Sequence, residues 1–336
     1  MARKGTTGKG EETLFPPVPQ TLQITGLVAD ICERVGALTA LQSPASLLRL
    51  RRDGHVRSVQ ASLQIEGNTL DVAQVRAVLN GRRVLGAPKE IQEVRNALDA
   101  YSLLDSWDPG TLEDLCAAHA VLMRFILDHP GRFRTRAVGI QRGDTLVHVA
   151  PPATRVPPLM DALFAAIKAS PDHPLITSCR FHYELEFIHP FPDGNGRLGR
   201  LWQTLMLARW RPIFAGLPVE TIVRDRQADY YAALNDANRT GHAAPFVTFM
   251  LAAIRDALAE AAGGEPVLPG SQKGSLIRSQ KILALLRADP TLTIAGLAAA
   301  LGLSDRAIKN RLAELKRQGL LRRIGPDKGG RWEVPE

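Results

Sequence analysis

His189-Pro190-Phe191-Pro192-Asp193-Gly194-Asn195-Gly196-Arg197-Leu198-Gly199-Arg200 gathers an imidazole, a carboxylate, a Gly-Asn-Gly turn and two guanidinium groups in one short stretch. His189 is the only group in it whose ordinary pKa suits proton abstraction near neutral pH. Asp193 offers a hard oxygen suited to Mg²⁺ carried on a polyphosphate. Gly194 and Gly196 tolerate positive φ and let the backbone approach a phosphate closely. Arg197 and Arg200, three apart on the opening turn of a helix, are expected to project the same way and fork onto phosphate oxygens. A base, a metal ligand and a phosphate cradle together call for nucleotidyl or phosphoryl transfer to a nucleophile that must lose a proton. Asp-Gly-Asn-Gly alone is an ordinary turn. The whole set at fixed spacing carries the inference.

The elements that must position these groups flank them. The run from Leu185 to Ile188, broken only by Glu186, comes before the segment, and a helix-forming run from Leu201 to Ala208 comes after it. The expected arrangement is helix, tight loop, helix. Loop amides and the second helix's N-terminus then face one spot, and unpaired N–H donors with a helix dipole favour an anion there.

The pattern His-Pro-Phe-x-Asp-Gly-Asn-Gly-Arg-x-x-Arg resembles the signature of Fic-domain proteins at every defining position. The resemblance implies AMPylation, the transfer of AMP from ATP to a Ser, Thr or Tyr hydroxyl of a target protein. It implies that His189 deprotonates that hydroxyl, Asp193 holds Mg²⁺ and the amides of Gly194, Asn195 and Gly196 cradle the phosphates. Arg197 and Arg200 would bind the β- and γ-phosphates, with Leu198 and Gly199 between them counted in the nucleotide site. Family members that act as kinases carry Ala and Lys in the loop. Gly194 and Gly196 therefore favour AMP transfer.

Ser62-Leu63-Gln64-Ile65-Glu66-Gly67-Asn68 is similar to the family's inhibitory motif, Ser/Thr-x-x-x-Glu-Gly/Asn. A glutamate at a helix end closed by Gly67 can reach Arg200 and form a bidentate pair. That pair would withdraw the guanidinium from the γ-phosphate and leave ATP in an unproductive pose; the same glutamate can position water for deAMPylation in family members with this motif. Taken alone, Glu66 reads equally as a solvated carboxylate at a helix end.

Alternating apolar residues around Arg142-Gly143-Asp144, with Val138, Gly139, Ile140 and Gln141 before and Thr145 to His148 after, read as a β-hairpin. By resemblance it is the flap that pairs with the target backbone; a purely structural hairpin remains open. Tyr230, Tyr231, Leu234 and Asn238 are similar to the family's adenine-pocket helix, the last three at i, i+3 and i+7 on one face. His182, Glu186 and His189 have a spacing that could ligate a metal, but the two-histidine zincin pattern is absent.

The 336 residues are 45% hydrophobic with a net charge of +8, enough chain for more than one domain and with no apolar run of membrane-spanning length. Residues 1–20 have no apolar core of a secretory signal. Three scattered cysteines, Cys32, Cys116 and Cys179, read as reduced core thiols in the cytoplasm. Residues 271–336 hold 13 Lys and Arg against 6 Asp and Glu, which is nearly all the positive excess. There a helix from about Ser275 to Ala288, another from about Ile294 to Leu301, and a third from Ser304 to about Gln318 precede a hairpin. Ile308, Leu312 and Leu315 are the expected buried stripe, with Arg306, Lys309, Asn310 and Lys316 outside. This resembles a winged helix-turn-helix, a fold used both for DNA and for partner docking.

The expected fold is mainly α: a helical Fic core with a small β-hairpin flap, plus a C-terminal winged helix-turn-helix. Its expected divisions are a flexible tail (1–18), an N-terminal helical region with the inhibitory motif (19–96), the catalytic core (97–262), a Gly/Pro-rich linker (263–274) and the winged helix (275–336). The partners are ATP with Mg²⁺ and a hydroxyl-bearing target protein, and no membrane; DNA at the winged helix and a second copy of the chain stay open. The alternatives to an autoinhibited adenylyltransferase are a nucleotide-sensing DNA-binding regulator with little turnover, and a deAMPylase.

Overall fold

Apolar residues at helical spacing, interrupted by Pro, Gly and capping side chains, divide the chain into helices. The computed structural model describes residues 15, 18–41, 44–142, 145–262, 282–283, 285–287, 289–290, 292–294, 296–297, 308, 312, 315, 321–324 and 331–334. The expected linker, most of the expected N-terminal tail and the residues Arg306, Lys309, Asn310 and Lys316 lie outside them. The chain is mainly α and falls into two compact units, Met1–Glu265 and Pro266–Glu336.

In the larger unit α1 (Leu22–Leu41), α2 (Pro44–Ile65), α3 (Val72–Leu79), α4 (Pro88–Ser102) and α5 (Leu112–Leu122) come first. The hairpin β1 (Gly139–Arg142) and β2 (Thr145–Val149) follows, then α6 (Val156–Lys168), α7 (Pro174–Ile188), α8 (Asn195–Trp210), α9 (Val219–Asp225), α10 (Gln227–Thr240) and α11 (Ala244–Ala261). Local chemistry sets many of the boundaries. Asp71 and Gln74 form a reciprocal capping box at the start of α3. Thr111 caps α5, and prolines open α4, α6, α7 and α11, where a missing N–H costs nothing.

Residues 22–65 form two helices, α1 and α2. Leu27, Ile31, Val35 and Leu38 are buried on one face of α1, which packs on α11.

α7 lies between two hydrophobic cores. Leu175, Ile176, Cys179 and Tyr183 enter one, shared with α1, α10 and α11. Phe181, Leu185 and Ile188 enter the other, shared with α2, α4, α5, α6 and α8. A helix buried all round must find partners inside the protein for its polar groups. His182 does so with Gln203 of α8 (2.7 Å) and the Tyr230 hydroxyl (3.3 Å), so it is a structural histidine of the core. Only Cys179 of the three cysteines is fully buried; Cys32 and Cys116 sit at the core margins, partly exposed.

β1 and β2 pair antiparallel, Gly139 opposite Val149 and Arg142 opposite Thr145, with a register shift between Ile140 and Gln141. The Gly143-Asp144 turn and the side chains from Ile140 to Val149 lie outside the described residues. In the smaller unit Ile282, Leu283, Leu286, Leu297, Ile308, Leu312, Leu315 and Leu321 form one core. Strands β3 (Arg322–Ile324) and β4 (Arg331–Glu333) pair antiparallel beside it.

Candidate active site

The loop between α7 and α8 is built by mutual constraint. His189 ends α7 in the left-handed region, φ +50° and ψ 61°, its N–H still donating to Leu185 O (2.8 Å). Asn195 opens α8 and clamps the loop from inside: its Oδ1 accepts from Phe191 N (3.0 Å) and its Nδ2 donates to Phe191 O (2.9 Å). Gly194 has φ +84°, and a Cβ there would meet Met123 Sδ at 2.6 Å, so glycine is needed for both conformation and space.

His119 braces the loop from α5. Its Nδ1 accepts from Gly131 N (2.8 Å), which leaves Nε2 to donate to Asp193 O (2.9 Å), and its ring stacks on Phe191 at 3.8 Å. Burial lowers its pKa to about 4, so it braces as a neutral imidazole.

A cavity of about 370 Å³ opens at this loop, lined among others by His189, Asp193, Gly194, Asn195, Gly196 and Arg200. The first amides of a helix lack intrahelical acceptors, so an anion would be held where α8 begins. The other wall is α10, which presents Gln227, Tyr231, Leu234 and Asn238 at helical spacing, with Tyr230 and Asn235 beside them. Strand β2 runs next to α10. The Tyr183 hydroxyl donates to Asn238 Oδ1 (3.0 Å), which turns that amide's N–H₂ away from Tyr183.

α2 delivers Glu66 into the same cavity. Asn68 N donates to Leu63 O (3.1 Å) and Gly67 N to Gln64 O (3.0 Å), a Schellman closure with Gly67 at φ +91°. Glu66 Oε1 meets Arg200 Nη2 at 2.6 Å, while Arg200 Nε donates to Ser62 Oγ (2.9 Å) and Nη2 also to Ser62 O (3.1 Å). The Arg200 side chain is 2% exposed and that of Glu66 35%. Burial opposes the Arg200 charge, but Glu66, Tyr230 and Glu186 around it outweigh burial and raise its pKa. Burial, with Glu66 alongside, pushes the Glu186 carboxyl up to about 7 against the pull of Arg200. Glu186 Oε2 also stands 3.8 Å from His189 Nδ1, one helical turn away.

Comparison with known proteins places this geometry. The Fic/DOC family profile matches residues 109–207, and a winged helix-turn-helix DNA-binding profile matches residues 277–322. A crystallised Fic family protein from Desulfovibrio desulfuricans G20 is 45% identical, with a TM-score of 0.69 over 95% of this chain and 98% of that one. The chain belongs to the Fic family. Protein adenylyltransferase Fic of Drosophila grimshawi is 32% identical over 250 residues, 69% of this chain and 48% of that protein. The chain thus spans about half the length of the curated relatives it matches. Fic-1 from C. elegans, 24% identical with a TM-score of 0.61, shares the fold over 71% of this chain and 72% of that one. The smaller unit is a winged helix-turn-helix.

Within this Fic site the structure brings together His189, Asp193, Gly194, Asn195, Gly196, Arg200, Glu66, Tyr230, Tyr231, Leu234 and Asn238. Other expected members lie elsewhere. Arg197 is not among the residues lining the cavity: its guanidinium is taken by Glu93 of α4 (3.1 Å) and by Asp193 (3.0 Å), whereas that of Arg200 pairs with Glu66 at the end of α2. Leu198 faces the hydrophobic core. Gly199 packs on His182, where a Cβ would come within 2.7 Å of the ring. Gly139, Ile140 and Gln141 belong to β1 and Val138 comes just before it; the side chains of Ile140 and Gln141 lie outside the described residues. The Glu66–Arg200 contact uses one carboxylate oxygen and one guanidinium nitrogen rather than two of each, because Ser62 takes the Nε donor. Glu93, His119, Arg134 and Gln227 are contributors that sequence reasoning did not assign. Glu186 had a spacing signal, three residues before His189, that reads as a shared helix face.

Proposed function

We propose that this Fic protein transfers AMP from ATP to a hydroxyl of a target protein and is held in check by Glu66. The observation that carries the reading is the 2.6 Å Glu66–Arg200 pair inside the cavity that also holds His189 and Asp193. The target oxygen bonds to the α-phosphorus, the bond from that phosphorus to the bridging oxygen breaks, and pyrophosphate leaves. His189 takes the hydroxyl proton. The amides of Asn195 and Gly196 would face the charge that develops on the transferred phosphoryl oxygens, while the Gly194 N–H donates to Asp193 Oδ1 (2.6 Å). Tyr231, Leu234 and Asn238 hold adenine, and the β1–β2 hairpin receives the target backbone as an added strand, aiming its hydroxyl at His189.

Mg²⁺ fits the donor set on one condition. No group of three or more His, Cys, Asp or Glu suited to a metal occurs among the described residues. The ion would therefore be held by Asp193 and by the nucleotide's own phosphates, the arrangement Mg²⁺ commonly takes. When bound it neutralises phosphate charge. That matters here, since Glu66, Glu186 and Asp193 all bring carboxyl groups to the cavity.

Glu66 restrains the reaction by occupying Arg200, which would otherwise hold the γ-phosphate. A substitution at Gly196 would disturb the same pair, because a Cβ there would meet Glu66 Oε1 at 2.6 Å and Arg200 Nη1 at 3.1 Å. We assign the reaction to the cytoplasm, where the three free cysteines stay reduced. We also propose that the chain divides into helical region 19–96, core 97–262, linker 263–274 and winged unit 275–336.

The test is incubation of wild type, Glu66→Gly and His189→Ala with Mg²⁺ and α-labelled ATP, alone and in lysate. Protein-bound label is expected chiefly with Glu66→Gly and lost when His189→Ala is added. Equal silence of Glu66→Gly and wild type, with ATP bound by both, would sink the reading. The winged helix-turn-helix match supports a second reading, a nucleotide-sensing regulator on DNA.

A further inference from the structure

We propose that Arg134 is a positioning residue that ties the feet of the β1–β2 hairpin to the helix end carrying His189. Target docking and base placement are thereby one mechanical unit. The proposal rests on His189 as the base and on the hairpin as the target's docking strand.

Arg134 lies just ahead of β1 and is 4% exposed. Its Nε donates to His189 O (2.7 Å) and its Nη2 to Ile188 O (3.3 Å), two of the last carbonyls at the C-terminal end of α7. Its own N–H donates to Pro190 O (2.9 Å). The same guanidinium reaches Arg136 O through Nη1 (2.9 Å) and Pro151 O through Nη2 (2.5 Å). Residues 136 and 151 bracket the hairpin on its two sides. One fork therefore holds the end of α7 and both hairpin feet.

The chemistry explains why an arginine stands there. The last carbonyls of a helix have no intrahelical donor and carry the negative end of its dipole, so they compensate a buried cation. No carboxylate pairs with Arg134 among the described residues; its side-chain acceptors there are backbone carbonyls. Burial lowers its pKa below the usual guanidinium value. His189 has φ +50°, a conformation that a residue with a Cβ holds only when its surroundings fix it. Arg134 and the Leu185 carbonyl grip its peptide from both sides. A lysine keeps the charge but lacks the planar fork that spans four acceptors.

The test uses full-length protein in the Glu66→Gly background. Arg134→Lys is expected to lower kcat by about tenfold to a hundredfold, the cost of a misplaced base, with ATP affinity unchanged and the target's KM raised. Hydrogen exchange gives a reading independent of turnover. Amides of residues 136–151 and 185–195 should lose protection together, while those of α11 do not change. Arg134→Ala should recover transfer when guanidinium ion is added at concentrations that leave the parent unaffected. Unaltered kcat, or loss of protection in one of the two segments alone, overturns the coupling. Protection lost equally in α11, without guanidinium rescue, would make Arg134 a general structural residue instead. If Glu66→Gly itself carries no label, the transfer reading fails, and the paired exchange pattern still decides this one.

Discussion

Glu186 shows how a single carboxylate can feel the whole site. It faces Glu66 from α2, Arg200 from α8, Tyr230 and Tyr231 from α10 and His189 from the adjoining loop. Burial and the neighbouring Glu66 raise its pKa from 4.5 to about 7. A carboxyl group with a raised folded pKa binds more protons folded than unfolded between those values, so its contribution to stability is full below pH 4.5 and is lost as pH rises through 7. Glu186→Gln should remove that loss. The difference in unfolding free energy between wild type and variant is expected to shift by up to about 3 kcal/mol between pH 4.5 and pH 8, in the variant's favour at high pH. Denaturant titrations at four pH values measure it. A difference that is flat with pH would mean Glu186 is already ionised at low pH. In the Glu66→Gly protein the carboxyl loses its anionic neighbour, so the same pH dependence should move to lower pH.

At the scale of elements, the end of α2 is fixed to the catalytic loop by a polar line. Asp193 pairs with Arg197, Arg197 with Glu93 of α4, and Glu93 accepts from Asn68 Nδ2 (3.0 Å), two residues past Glu66. Asn68 also accepts from Leu70 N (3.1 Å) and donates to Glu90 O (3.2 Å). Asn68→Ala should therefore loosen the placement of Glu66. A loss of about 1.4 kcal/mol in the closed state corresponds to roughly a tenfold rise in basal transfer. Label incorporation by wild type, Asn68→Ala and Glu66→Gly ranks the three; a variant as silent as wild type would show that Glu66 is held by Arg200 and Ser62 alone. The helix-loop-helix around His189 was legible because its Gly-Asn-Gly and its flanking apolar runs are local signals, and so was the hairpin. Gly67 marks the helix end at Glu66, but the reach of that carboxylate to Arg200 was legible only through the motif's resemblance to the family's inhibitory segment. The partners of Arg197 and of the loop carbonyls were not. Glu93 lies 104 positions from Arg197, His119 lies 74 from Asp193, and Arg134 lies 55 from His189. No local period links such pairs. Arg197 and Arg200 take different carboxylates, Glu93 and Glu66, and neither partner is local to its arginine.

For the molecule as a whole, charge is divided as unevenly as function. Residues 271–336 carry 13 Lys and Arg against 6 Asp and Glu, while the rest of the chain is close to neutral. A winged helix-turn-helix with that balance has the electrostatic footprint of a nucleic-acid binder, yet the same fold also docks proteins. Salt dependence separates the two. Binding to duplex DNA releases counterions, so the logarithm of affinity falls with the logarithm of salt by about 0.9 for each phosphate neutralised. If the unit reads DNA, full-length protein titrated with labelled duplex should lose affinity by roughly a thousandfold or more between 50 and 200 mM salt for six or more such contacts. Replacing Arg306 and Lys309 by Gln should flatten that slope by about 2. Glu66→Gly should leave the slope unchanged, because it alters the nucleotide cavity and removes no cation. Fluorescence anisotropy gives all three curves. Absence of salt-dependent binding in the wild type would assign the basic unit to an acidic protein partner. A target for the proposed transfer would then be sought among proteins that the winged helix retains.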